Sequence, residues 1–154
     1  MTLHKHTITD EEAKLVCGWK YEGEYACYNQ PPYEELEAKG AMFCDPLRRD
    51  NYRSYYNGDV LVGFTNLQEN ETEVFLGIGV QPDLCSKGYG TAIVKEACAI
   101  SQRLYPNKPL YLVVRTWNKR AIRCYEKAGF VMEGEPFEIN TYSGVGVFYR
   151  MVRK

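Results

Sequence analysis

Between residues 74 and 104 the hydrophobic period of the chain changes, and this change does most to restrict how it can fold. "VFLGIGV" at 74–80 is a run of strand formers. After "QPDLCSKGYG" come Ile93, Ala97, Ile100 and Leu104, whose i, i+4, i+7, i+11 spacing lays one apolar stripe along a helix. Pro106 and Pro109 stop that helix, and "LYLVV" at 110–114 is a continuous apolar run that suits a strand buried on both faces. Strand, glycine-bearing loop, helix and buried strand in that order point to an α/β chain around one sheet.

The flanking segments fill in the rest. Residues 3–8 read as a strand, and Thr9 followed by Glu12 forms a capping box that predicts a helix from Asp10, with Ala13, Val16 and Cys17 on one face. Pro31 and Pro32 open a second short helix, "YEELEAK", which Gly40 closes. "NYRSYYNGDVLVGFTNLQENETEVFLGIGV" is rich in strand formers and punctuated by Asn57-Gly58 and by residues 69–72, which predicts three antiparallel strands joined by two hairpins. Asn118 is placed to cap "KRAIRCYEKA", Gly129 to end it, and "FVMEGEPFEI" and "GVGVFYRMV" form a last antiparallel pair. The order is β-α-α-β-β-β-α-β-α-β-β around a mixed sheet.

At 154 residues, without a repeat or linker-like stretch, the chain reads as a single domain over 1–154. With 19 basic and 20 acidic residues, nothing in the overall charge argues for a nucleic-acid partner. The polar N-terminus carries no apolar signal segment, and no run is apolar enough to cross a membrane, so a cytoplasmic protein is expected. The six cysteines form no C-x-x-C pair and read as reduced thiols. His4 and His6 have spacing a metal could use, but no third ligand stands near, so no metal site is expected.

The loop "LCSKGYGT" carries the chemistry. Bare backbone ahead of a helix N-terminus can present N–H groups to an anion. A P-loop is excluded, because Lys87 precedes Gly88 and no glycine lies five positions before it. A dinucleotide fingerprint is excluded as well, since Pro82 stands where "GIGVQP" would need its third glycine.

"LGIGVQPDLCSKGYGTAIVKEA" resembles the acetyl-CoA-binding motif of the GNAT superfamily of N-acetyltransferases, and "VVRTWNKRAIRCYEKAGFVMEGE" resembles the family's later pattern of Asn, Ala, Tyr and Gly-Phe. The two blocks cover residues 73–135, and the element order matches the family's fold, a mostly antiparallel mixed sheet flanked by helices. The resemblance implies that N–H groups along Cys85, Ser86, Lys87, Gly88, Tyr89 and Gly90, ahead of Thr91, cradle the pyrophosphate of acetyl-CoA. It further implies that Ile78 offers a free N–H to the thioester carbonyl and that Val80 pairs with the pantetheine amides. Gly77 and Gly79 would permit a bulge or a close approach. Cys85 departs from the usual Arg or Gln, and Ser86 from a common glycine. A reactive thiolate at Cys85 and a phosphate contact from Lys87 are conceivable beside their plain surface readings.

Tyr125 matches the tyrosine that commonly protonates the leaving thiolate in this family, although it also belongs to the apolar stripe of its helix. Asn118 would contact the pantetheine arm while capping its helix; Arg120 and Arg123 read as solvated charges or as partners of the 3′-phosphate. Val74 stands where some members carry a glutamate base, and Glu73 is one residue off, so a water path ending at an acidic or tyrosine side chain is the expected base. On the acceptor side, Trp19, Tyr21, Tyr25, Tyr28 and Tyr33 interleave with Glu22, Glu24, Glu34 and Glu35, which would either hold a cationic amine or form a solvated cover. The implied protein is an acetyl-CoA-dependent N-acetyltransferase, monomeric or homodimeric, acting by direct attack of a primary amine of a small molecule or peptide. The rivals are an idle CoA-binding sensor and a nucleotide-binding module.

Overall fold

The computed structural model describes residues 2–154. Thr9 ends the first strand and starts the first helix. Its hydroxyl accepts from the Glu12 N–H at 3.2 Å, and the Glu12 carboxylate accepts from the Thr9 N–H at 2.9 Å. Strand β1 (His4–Thr7) therefore gives way at once to α1 (Asp10–Cys17). Helix α2 (Tyr33–Lys39) ends at Gly40, whose φ of 59° is the left-handed geometry that terminates helices. Strands β2 (Tyr52–Asn57), β3 (Val60–Glu69) and β4 (Val74–Val80) follow as two hairpins. Then come α3 (Tyr89–Leu104), β5 (Leu110–Arg115), α4 (Lys119–Lys127), β6 (Val131–Thr141) and β7 (Gly144–Arg153). The succession of strands and α-helices is the one read from the sequence, with short 3₁₀ turns added at 23–28, 42–44, 49–51 and 82–84.

The strands form one sheet in the order β1-β2-β3-β4-β5-β7-β6. Each neighbouring pair is antiparallel except β4–β5, which is parallel. α3 and α4 cover one face, packing Val94, Ala97, Ile100 and Ile122 on Leu76, Leu112 and Val114. α1 and α2 cover the other around Val16, Leu36, Phe43 and Phe64. The stripe foreseen for α1 points inward, as do Ile93, Ala97 and Ile100 of α3, whereas Leu104 at the end of α3 is exposed.

The parallel pairing of β4 with β5 spans only two positions, Val74 opposite Leu110 and Phe75 opposite Tyr111. Beyond Phe75, β4 stays with β3 as far as Val80, while β5 stays with β7 as far as Arg115. The two central strands therefore diverge, and a wedge opens between them.

Glu12 ties β1, α1 and β2 together beyond its capping role. It is 5% exposed and hydrogen-bonded by the Ser54 hydroxyl at 2.9 Å, by the Tyr56 hydroxyl and by His6 Nε2 at 2.7 Å. Burial works against its charge, but the bonds from Tyr56, Thr9, Ser54 and His6 outweigh burial and hold the carboxyl at about 2. A depressed carboxylate contributes its full stabilisation above its ordinary value and loses it as the pH falls toward the folded value. We predict that Glu12→Gln costs about 2 kcal/mol at pH 7, and that urea denaturation at pH 3 shows the deficit narrowed by roughly half. A deficit independent of pH would show that the charge of Glu12 contributes nothing.

Candidate functional site

The wedge between β4 and β5 is a cleft of about 570 Å³, within the range of small-molecule sites. Its hydrogen-bonding groups follow from the phase of the ladder. Gln81 N–H donates to Val62 O at 2.8 Å, toward β3, whereas Val74 N–H donates to Pro109 O at 2.9 Å, toward β5. Alternation along a strand then turns the main-chain groups of Leu76, Ile78 and Val80 toward the side that β5 has left. The β3–β4 register runs without a shift from Gly63 to Glu69, so the free edge arises from divergence of the strands and not from the bulge that the glycines suggested. Gly79 is bare for another reason: a Cβ there would overlap the ring of Phe64.

At the mouth of the cleft the chain turns through residues 82–88 into α3. Ser86 has φ 64° and Gly88 has φ 88°, so two residues in left-handed geometry bend the loop around its own N–H groups. Cys85 N–H is spent on Pro82 O at 3.4 Å and Ala92 N–H on Gly88 O at 3.2 Å; among the described residues no backbone acceptor takes the N–H groups of residues 86–91. The expectation for Cys85 is therefore corrected, because its donor is already used. Its thiol lies 3.7 Å from Gln81 O, and burial raises it above its ordinary value despite the nearby Arg120, so a reactive thiolate is not supported. Ser86, Gly88, Gly90 and Thr91 line the cleft. Lys87 is exposed, and the Tyr89 hydroxyl accepts from Asn57 Nδ2 at 2.8 Å, so Tyr89 can serve the loop only through its backbone.

Charge at this loop comes from α4. Arg120 Nη1 donates to Ser86 Oγ at 3.3 Å, and its guanidinium lies 4.3 Å from the centre of the Tyr25 ring. The site thus has a cation that the residue at 85 does not provide.

Ile78, Gly79, Val80, Asn118 and Tyr125 all line the cleft. The Tyr21 hydroxyl donates to Val80 O at 2.6 Å, so one acceptor position of that carbonyl is already filled from the protein. Asn118 is buried; its Oδ1 accepts from Ala121 N–H at 3.1 Å and its Nδ2 donates to the Tyr28 hydroxyl at 2.9 Å, leaving one amide N–H for anything else. The Tyr125 ring packs edge-on against Phe130 with centroids 6.1 Å apart. Burial, with smaller effects of Cys124 and Tyr28, pushes its phenol far above the ordinary tyrosine value.

The face toward α1 and α2 departs from expectation. Trp19, Tyr21, Tyr25 and Tyr28 line the cleft, but Tyr33 packs with Lys14, and Glu22, Glu24, Glu34 and Glu35 do not reach it. The cleft's charged lining is Arg115, Arg120, Arg123 and Lys127; no Asp, Glu or His is among the described residues that line it. Glu73 pairs with Arg150 at 2.5 Å at the closed end of the wedge, and Val74 is fully buried. Arg115 is the residue that sequence reasoning missed. It follows Val114, which faces α3 and α4, so its side chain emerges on the opposite face, 4.9 Å from the centre of the Phe148 ring. The available signal was an arginine ending an apolar run, whose expected burial on both faces is corrected by the partly exposed Tyr111 and Val113.

Among the described residues no group of three or more His, Cys, Asp or Glu could hold a metal, all six cysteines are free, and no helix is long and apolar enough to cross a membrane.

The model of the acetyltransferase (GNAT) family matches residues 10–130. No curated protein matches the sequence. Among solved structures the fold is similar to spermidine N-acetyltransferase from Vibrio cholerae in complex with CoA and spermine, 21% identical over 97% of this chain and 94% of that one, with TM-score 0.74. It is also similar to a chimera of that enzyme (21% identical, 98% and 94% covered, TM-score 0.75). The ribosomal-protein-S18-alanine N-acetyltransferase from Escherichia coli is 19% identical over 99% and 93% of the two chains, with TM-score 0.70. At such identities the likeness establishes the fold alone.

Ser86 holds a backbone geometry that a side chain disfavours, at a cost of roughly 1–2 kcal/mol, partly offset by the greater flexibility of an unfolded glycine. We predict that Ser86→Gly raises the unfolding free energy by about 0.5 kcal/mol, read from the denaturant midpoint; a destabilised variant would show that the strain is absent.

Proposed function

The chain belongs to the acetyltransferase (GNAT) family, and on that premise we propose that it transfers the acetyl group of acetyl-CoA directly to a primary amine of a small molecule or peptide bound beside it. It is an acyltransferase, and acetyl-CoA is the family's donor. The observation that carries the finer reading is the free main-chain edge of Leu76, Ile78 and Val80, lying next to a loop whose N–H groups from 86 to 91 have no backbone acceptor. Unpaired N–H groups at a half-buried strand edge are costly, and a ligand bearing amides, a thioester carbonyl and a pyrophosphate would satisfy them.

In this reading the Ile78 N–H meets the thioester carbonyl, where a fixed donor stabilises the negative charge that develops on oxygen. Val80 meets a pantetheine amide through its N–H, because Tyr21 shares its carbonyl. The loop from Ser86 through Thr91 surrounds the pyrophosphate, and Arg120 supplies the cation. Asn118 uses its remaining N–H on the pantetheine arm. When bound, acetyl-CoA supplies a thioester carbon open to attack by an amine. Tyr125, a phenol protonated at neutral pH, donates its proton to the departing sulfur. Because the cleft lining carries no carboxylate or imidazole, the proton of the incoming ammonium leaves along water. Strands from both ends of the described chain share one sheet, which supports a single domain over 1–154. The reading keeps the expected cytoplasmic setting and a monomer or homodimer.

Two measurements bear on these roles. Tyr125→Phe should lower kcat about 100-fold while leaving acetyl-CoA affinity within twofold of the parent, and full turnover across the pH range would remove the acid role. Arg120→Ala should weaken acetyl-CoA about tenfold by calorimetry, whereas Lys87→Ala leaves it unchanged; the reverse order would move the phosphate partner to Lys87. An idle binder would be recognised by tight acetyl-CoA binding without thiol release over a broad amine panel.

A further inference from the structure

Arg115 is 8% exposed and lines the cleft on the face toward α1 and α2. Its guanidinium carries five N–H donors in a fixed planar fork. Among the described residues only Nη2 finds acceptors, the hydroxyls of Thr141 and Ser143, each at 3.3 Å. Nε is buried without a partner, and no carboxylate among the described residues forms an ion pair with this arginine. Rings stand on its flanks, with Phe148 at 4.9 Å and Tyr28 at 5.8 Å from the guanidinium carbon to the ring centres. The neighbouring strand makes room for it, because a Cβ at Gly146 would overlap Nη1.

A buried cation without a counter-ion costs several kcal/mol, and neither two hydroxyls nor two ring faces replace an anion. Pinning the β6–β7 hairpin would need only a neutral donor. The cleft's other charged residues, Arg120, Arg123 and Lys127, stand on α4, whose Arg120 this reading gives to the pyrophosphate, so Arg115 is the lining cation left for the acceptor. An acceptor arriving as a bare polycation would meet like charge and no carboxylate. One that carries a carboxylate beside its ammonium would be attracted at one end and neutral overall.

We propose that the acceptor is a small amine bearing a carboxylate, of the amino-acid type, and that the carboxylate is held by the Arg115 fork between Tyr28 and Phe148. The inference rests on the transferase reading and fixes the substrate class within it. A carboxylate fits better than a tetrahedral oxyanion, because a planar group matches a planar guanidinium bidentately and fits a slot walled by two rings. In the reaction the bond from the acetyl carbon to sulfur breaks and that to the amine nitrogen forms. Of the three ammonium protons, one stays on the amide; for the other two, one leaves to water while the sulfur gains one from Tyr125, which the other replenishes. No electrons change hands. The carboxylate remains intact on the product.

The test measures free thiol from acetyl-CoA with the twenty free amino acids, with short peptides bearing a free C-terminus, and with the primary amide of each, alongside spermidine. We expect at least one free acid to exceed its amide about 100-fold in kcat/KM, with the first two sets deciding between a free amino acid and a peptide. Arg115→Gln should abolish that preference by raising the acid's KM, and Arg115→Lys should restore it only in part. A purely structural arginine would instead impair acids and amides equally. If Arg115→Gln does not fold, the acid-to-amide ratio of the parent protein decides alone. Amides or spermidine turned over as well as the acids would overturn the carboxylate site and leave the transferase reading standing. Thiol release with none of these amines, with acetyl-CoA still bound, would bring down both.

Discussion

The rest of the structure depends on how briefly β4 and β5 pair. Two parallel positions hold the strands together at Val74 and Phe75, after which each is committed to a different antiparallel partner. A long ladder on either outer side holds each strand to its own course, β4 along β3 and β5 along β7. The divergence converts ordinary strand backbone into a row of directed, unpaired groups, which is the condition for holding an amide-bearing ligand as if it were a strand.

Close packing on both faces keeps that row in place. Gly79 yields its side-chain space to Phe64 from the α1–α2 side, and a Cβ at Gly63 would strike Ile93 of α3 and the Gly79 carbonyl. Helix α3 can therefore sit tightly on the sheet, which brings its N-terminus to the mouth of the wedge. The loop then curls through the left-handed Ser86 and Gly88. Arg120, reaching from the next helix, brings a guanidinium to the loop by donating to Ser86 Oγ.

The fold was legible because its signals are local. The Thr9 capping box, Gly40, the Asn57-Gly58 turn, the α3 stripe and the Asn118 cap each fix one element by chemistry within a few residues. Sheet order was not legible: the insertion of β7 between β5 and β6 is a long-range pairing that no local pattern encodes. The same distinction governs the site. The residues of 78–80 and 86–91 offer backbone groups near glycines, and glycines leave a sequence signature. Tyr21 on Val80, Tyr28 on Asn118 and Arg120 on Ser86 join residues separated by 59, 90 and 34 positions, and appear only when the chain is folded. Sequence left the glutamates of the aromatic segment between an amine trap and a solvated cover, because it shows proximity along the chain but not which face of a turn is presented.

The two halves of the cleft are thus specified by different means. In the proposed reading the donor meets main-chain N–H groups, whose positions depend on the path of the backbone and tolerate substitutions such as Cys85 and Ser86. The acceptor meets side chains: an arginine with rings on its flanks and hydroxyls from a hairpin tip. Side chains can be exchanged without disturbing the ladder, so a fold can keep one donor while changing its acceptor. That separation explains why a motif can announce the acetyl donor from sequence, while the acceptor has to be read from buried charge. In this cleft the buried charge is positive and lacks a protein counter-ion, and a carboxylate on the substrate would complete it.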